Sequence, residues 1–240
     1  MKVIIVGAGP GDKELITVKG LNAIKNADVI VYDNLIGKEL LDHAKEGAEL
    51  IYVGKRKGMH SFKQEEINKI LIDKARENKL VVRLKGGDPF IFGRGGEEIL
   101  ALKKENIPHE VIPGITSAIA VPEVAGIPLT HRGISTSFTV VTGHEMEGKD
   151  EKQVKLEELN ADTIVILMGI TNLDNHVKNL LKNKKRNENT PVAIITNGTR
   201  DNQKVVKGTL GNIVDIAKKE NIQPPGIIIV GNVVNVLNNG

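Results

Sequence analysis

The chain has 240 residues, 40% of them hydrophobic and 26% charged, a length and balance that suit one large or two small globular domains. With 33 basic residues against 30 acidic ones, aromatics at 2% and no tryptophan, neither a nucleic-acid footprint nor a base-stacking surface is expected. Zero cysteines exclude disulfides, thiolate metal sites and thiol nucleophiles, and the six histidines include no i, i+4 pair, so no metal site is expected.

The opening "MKVIIVGAGPG" is too short an apolar run for a signal peptide. No stretch approaches the roughly 18 apolar residues that a membrane span needs. A cytoplasmic protein with no membrane or nucleic-acid partner is expected.

In chain order, "KVIIV" (2–6) reads as a buried parallel strand, short, β-branched and closed by glycines. A helix follows, with Leu15, Val18, Leu21 and Ala23 spaced to face inward. "ADVIVYD" is a second strand ending at Asp33, and a helix over Lys38 to Glu46 leads to a third strand in "ELIYVGKRKG". Ser61 and Gln64 have capping-box spacing before a helix bearing Ile67, Ile70, Leu71 and Ala75. "KLVVRLKGGDP" is a fourth strand, Arg94 to Asn106 a helix and "HEVIPGI" a fifth strand.

Strands alternating with helices predict a parallel α/β sheet whose ligand loops lie at the carboxyl ends of the strands. "GAGPGD", "YDNLIG", "VGKRKG" and "KGGDPF" all fall there. Past a Pro- and Gly-containing connection at 113–118 the pattern changes. "SFTVVTG", "TIVILMG", "PVAIITNG", "QKVVKG" and "GIIIVGN" are strands, with helices near 172–184 and 209–220. The short gap before "QKVVKG" predicts an antiparallel hairpin. The expected domains are 1–115, with a parallel sheet, and 116–240, with a mixed one.

The glycine loop after the first strand is not a dinucleotide fingerprint. It reads G-x-G-P-G-D: Pro10 removes an amide donor where pyrophosphate needs one, and Asp12 adds a repelling charge. No Walker A ending follows it. Taken singly, Asp33 and Asp88 read as turn formers, Lys55, Arg56 and Lys57 as a solvated turn, and Met168 as core.

Together the motifs resemble the tetrapyrrole methylase family, and within it the uroporphyrinogen-III C-methyltransferases. The resemblance rests on "VGAGPGD", "ADVIVYDNLI", "VGKR", "QEEIN", "VIPGITSA", "GIPLTHRG", "VTGHE" and above all "VVRLKGGDPFIFGRGGEE". It implies two α/β domains with S-adenosylmethionine in the cleft between them. Pro10, Gly86, Gly87, Asp88 and Ile91 would then contact the cofactor, and Thr116 and Ser117 would meet its methionine end. Met168, Ala193 and Gly198 would close over its adenosine.

The resemblance further implies transfer of methyl groups to C-2 and C-7 of uroporphyrinogen III, giving precorrin-2 and S-adenosylhomocysteine. Asp33 is implied as proton acceptor, and Lys55 as proton donor or as a binder of a substrate carboxylate. Arg56, Arg83, Arg94 and Arg132, with Lys55, are expected to form a positive trough for this polycarboxylate. A homodimer is implied. Oxidation and metal insertion on the way to siroheme or cobalamin are expected to fall to other proteins. Two alternatives stay open: the same fold acting on a later corrinoid or a diphthamide precursor, and a non-catalytic nucleotide-binding module.

Overall fold

The structure is a computed structural model, and it describes residues 1–54, 62–143 and 154–238. The chain divides into two compact units, Met1–Thr116 and Ser117–Gly240. Among the described residues no helix is long and apolar enough to cross a membrane.

The first unit runs β1 (Lys2–Gly7), α1 (Val18–Asn26), β2 (Val29–Tyr32), β3 (Glu49–Tyr52), α2 (Gln64–Arg76), β4 (Leu80–Lys85), α3 (Gly95–Lys104) and β5 (His109–Ile112). Its five strands are ordered β3-β2-β4-β1-β5, and every pairing is parallel. All five carboxyl ends therefore lie on one edge of the sheet. The strands read as unbroken apolar runs because both faces are covered. On one face Ile4, Val6, Ile30, Val82 and Leu84 pack with Ala23 and Ile24 of α1. On the other Val3, Ile5, Val31 and Val81 pack with Leu71 of α2 and Leu102 of α3.

Local details differ from the sequence expectations. Val18 is solvent-exposed, whereas Ala23 is buried as expected, together with Gly20 and Ile24. The stretch expected as a helix from Lys38 is 3-10 in character and ends at His43. The expected cap at Ser61 lies outside the described residues. Helix α2 starts at Gln64, and the Glu66 carboxylate there accepts the Lys63 N–H at 2.6 Å. That bond satisfies one orphan donor of the first turn.

Glu110, on the edge strand β5, is held by Lys2 of β1 at 2.6 Å and by Lys19 of α1. Hydrogen bonds from Lys19 and then Lys2 draw its carboxyl down to about 2. A carboxylate depressed on folding adds stability above the ordinary carboxylate range, and that contribution is lost as pH falls through the folded value. Glu110→Gln is thus expected to unfold at a lower temperature than the parent near neutral pH. The gap should close as both are acidified toward about pH 2. A gap that does not change with pH would rule out the pair as its cause.

The second unit runs α4 (Ser117–Val124), β6 (Phe138–Thr142), β7 (Thr163–Leu167), α5 (Leu173–Leu180), β8 (Pro191–Thr196), β9 (Lys204–Thr209), α6 (Ile213–Lys219) and β10 (Gly226–Val230). Its sheet is mixed, ordered β6-β7-β10-β8-β9, with only β6 and β7 parallel. The expected hairpin is present as the antiparallel β8–β9 pair. Helices α5 and α6 cover one face with Val177, Leu180 and Ile213, and α4 covers the other with Ala118 and Val121.

Candidate active site

In the first unit the carboxyl edge is made of turns that touch backbone to backbone. The Gly87 N–H donates to the Gly9 carbonyl at 2.7 Å, and the Gly9 N–H returns a bond to Gly87 at 3.2 Å. Gly87 has φ +66°, the left-handed region that favours glycine. A Cβ on Gly114 would sit 2.7 Å from the Cα of Gly7 and closer still to the Gly87 carbonyl oxygen. The glycines after β1, β4 and β5 are thus required first by one another.

Asp88 braces the same junction. One carboxylate oxygen accepts the Phe90 N–H at 2.8 Å and the other accepts the Gly114 N–H at 3.1 Å, tying the β4 turn to the β5 exit. Asp33, directly after β2, closes its own turn by accepting the Leu35 N–H at 3.0 Å. Its second oxygen accepts from Arg83 Nη2 at 3.1 Å. About a fifth of the Asp33 side chain remains exposed, so the carboxylate is fixed from behind and open in front.

Arg83 is not part of a solvent-facing trough. It is 3% exposed, and each of its three nitrogens donates a hydrogen bond within the protein. Nε donates to Glu98 Oε1 at 3.1 Å, Nη1 to the carbonyl of Leu84 at 2.9 Å, and Nη2 to Asp33. The expectation that Arg83 binds substrate is corrected on that ground. In β4 the alternate residues Val81, Arg83 and Lys85 face the helices that bury them, and Glu98 of α3 supplies the counter-charge. Lys85 Nζ donates to the same Glu98 oxygen at 3.0 Å. Burial, followed by the neighbouring Arg83 charge, pulls the Lys85 ammonium below the usual lysine range.

Arg94 is exposed at the start of α3 in a left-handed conformation and forms a two-point pair with Glu97, at 2.8 and 2.7 Å. Arg94 in turn holds the Glu97 carboxyl below its ordinary range. Arg132, in the second unit, is exposed. Lys55 and Arg56 lie outside the described residues.

Of the expected cofactor contacts, Pro10, Gly86, Gly87 and Asp88 are half-buried and Ile91 is exposed, all on turns of the carboxyl edge of the first unit. Thr116 ends that unit, half-buried, and Ser117 opens α4 in the second. Met168, exposed just after β7, also has a left-handed backbone (φ 56°), and Gly198 follows β8 half-buried. Ala193 does not reach a surface. It is 0% exposed in the middle of β8, flanked by β10 and β9 and packed with Ile195 and Ile229, and its expected contact is withdrawn.

The charge pattern of the described turns fits S-adenosylmethionine better than a phosphate ligand. The turns 8–12, 33–37 and 86–93 carry Asp12, Asp33 and Asp88 and no lysine or arginine. These three stretches suit a cationic sulfonium and an ammonium, and their carboxylates would repel pyrophosphate. Exposed Phe90 and Ile91 add apolar surface for the neutral part of such a ligand. Sequence reasoning missed Glu98, because nothing in "GRGGEE" tells the buried acid from its exposed neighbour. The helical step from Glu98 to the core residue Leu102 is the one signal that could have separated them.

The family model for tetrapyrrole (corrin/porphyrin) methylases matches residues 2–214. The uroporphyrinogen-III C-methyltransferase of Methanocaldococcus jannaschii is 78% identical over 98% of both chains. The S-adenosyl-L-methionine-dependent uroporphyrinogen III methyltransferase of Methanosarcina barkeri is 51% identical over 98% of this chain and 92% of its own. The crystal structure of uroporphyrin-III C-methyl transferase from Thermus thermophilus, complexed with S-adenyl homocysteine, superposes with a TM-score of 0.85. It is 38% identical and covers 98% of this chain and 100% of that one. The chain belongs to the tetrapyrrole methylase family.

Proposed function

We propose that the protein transfers methyl groups from S-adenosylmethionine to C-2 and C-7 of uroporphyrinogen III, giving precorrin-2 and S-adenosylhomocysteine. The observation that carries this is the 78% identity, end to end, to a relative of that name. The turns 8–12, 33–37 and 86–93, which carry three acids and no base, also support it. We include in the proposal that the enzyme works in the cytoplasm as a homodimer, following the family.

When bound, S-adenosylmethionine supplies the methyl group as an electrophilic carbon. The chain supplies position and proton handling. Gly86 and Gly87 offer backbone groups without side-chain bulk, Asp88 keeps their turn in place, and Pro10 and Ile91 flank it. Thr116, Ser117, Met168 and Gly198 remain as cofactor contacts. Asp33 accepts the proton that the macrocycle gives up, using the exposed side of a carboxylate whose other side is held by Arg83 and the Leu35 N–H. Lys55 donates a proton or binds a substrate carboxylate. Arg56, Arg94 and Arg132 pair with the acetate and propionate groups, a task suited to the guanidinium fork. For Arg94 this means exchanging or sharing its Glu97 partner.

Anaerobic incubation of the purified chain with uroporphyrinogen III and S-adenosylmethionine, followed by mass spectrometry, tests the reading. The tetrapyrrole is expected to gain two methyl groups. An unchanged mass with the cofactor still bound would move the proposal to another acceptor.

A further inference from the structure

The buried cluster behind Asp33 is poorly explained as a stability device. Arg83 and Lys85 are 3% and 5% exposed, and both converge on Oε1 of Glu98, which is 0% exposed. Oε2 of Glu98 has no hydrogen-bond partner among the described residues. Gln64 Nε2 also points at Oε1, at the limiting distance of 3.5 Å. Burying three charges with one carboxylate oxygen left unserved is costly, and apolar residues of similar volume commonly serve such a position as well or better. The cluster reaches the exposed edge through Arg83 Nη2 on Asp33.

We propose that Glu98 and Arg83 are positioning residues for Asp33. Glu98 anchors the guanidinium through Nε, the Leu84 carbonyl fixes its plane through Nη1, and the remaining arm fixes the Asp33 carboxylate. These contacts, with a longer one from Nη1 to the Val31 carbonyl at 3.4 Å, leave the planar group a single orientation. Lysine in its place has no fork with which to span Glu98 and Asp33. Lys85 neutralises the charge balance, so that Arg83 and Lys85 face Glu98 and Asp33 as two cations against two anions.

This inference rests on Asp33 being the proton acceptor, and a double-mutant cycle separates the two. Glu98→Gln keeps shape and volume but gives up the charge that anchors Arg83. It is expected to lower kcat about tenfold to a hundredfold, the scale of a misplaced reacting group. Affinity for S-adenosylmethionine by titration and KM for uroporphyrinogen III should stay near the parent values. Arg83→Lys is expected to behave alike and not to rescue.

In an Asp33→Asn background, under single-turnover conditions, Glu98→Gln is expected to change the residual rate less than about twofold, because its route to the chemistry is gone. A further loss as large as in the parent background would overturn the inference while leaving Asp33 as base. A parent-like kcat in folded Glu98→Gln would also overturn it. If Asp33→Asn alone keeps the parent rate, the reading of Asp33 fails and takes this inference with it. Should Glu98→Gln not fold, the same cycle run with Arg83→Lys decides.

Discussion

Asp33→Asn is expected to lower the methylation rate by roughly 10²- to 10⁴-fold, the range in which a positioned general base contributes. Binding of S-adenosylmethionine should be little changed, because the Gly86–Gly87 turn and its Asp88 brace are untouched. The substitution is not neutral in geometry. Asp33 accepts on both oxygens, from the Leu35 N–H and from Arg83 Nη2. An amide can keep only one of these bonds, and its NH₂ then faces either the Leu35 N–H or the guanidinium. Both arrangements place donor against donor, so the side chain will rotate away from at least one partner. Single-turnover methylation with mass readout gives the rate, and isothermal titration gives the affinity. A rate within about threefold of the parent would remove Asp33 from the chemistry, since general-base loss is far larger.

The architecture was legible because it is written in local patterns. "KVIIV", "VVRLK" and "TIVIL" are apolar, β-branched and bounded by glycine or polar turns, and each is a strand in the structure. The short spacing between "PVAIIT" and "KVVKGT" announced the β8–β9 hairpin of the second sheet. What stayed hidden depends on partners distant in sequence. Arg83 in "VVRLK" looks like a charged residue on an open strand face, and only the folded position of Glu98 buries it. The glycines of "GAGPG", "KGGDP" and "IPGI" look like room for a ligand, although part of that room is filled by the other two loops. Ala193 illustrates the reverse error. A family contact assigned to a strand gave no sign that the strand's middle is sealed by neighbours on both sides, whereas Gly198, in the turn that follows it, is half-buried.

The glycine junction yields the second large effect. Gly114→Ala adds one carbon whose nearest neighbours are the Gly87 carbonyl oxygen and, at 2.7 Å, the Cα and carbonyl carbon of Gly7. None of these is a side chain that can swing aside. The β1 and β4 turns carrying them are locked by the Gly9–Gly87 bonds and by the Ala8 N–H donating to Lys85 at 2.7 Å. The cost should therefore lie at or above the upper end of ordinary overpacking, about 3 kcal/mol. For a unit of this size that corresponds to a fall in Tm of roughly 10 °C or more. Gly96→Ala is the matched control. It sits in the first turn of α3, its added carbon meets nothing within 4 Å, and helix propensity favours alanine there. Its Tm should stay within a few degrees of the parent, on the scale of about 0.5 kcal/mol expected for such surface changes. Asp88→Asn probes the same junction from the side: it keeps the acceptor for one of the two N–H bonds and turns a donor toward the other. A Gly114→Ala protein that melts with the parent would mean that the three turns separate easily. The carboxyl edge would then be a set of independent loops, not one braced surface on which Asp33 and the Gly86–Gly87 turn keep their spacing.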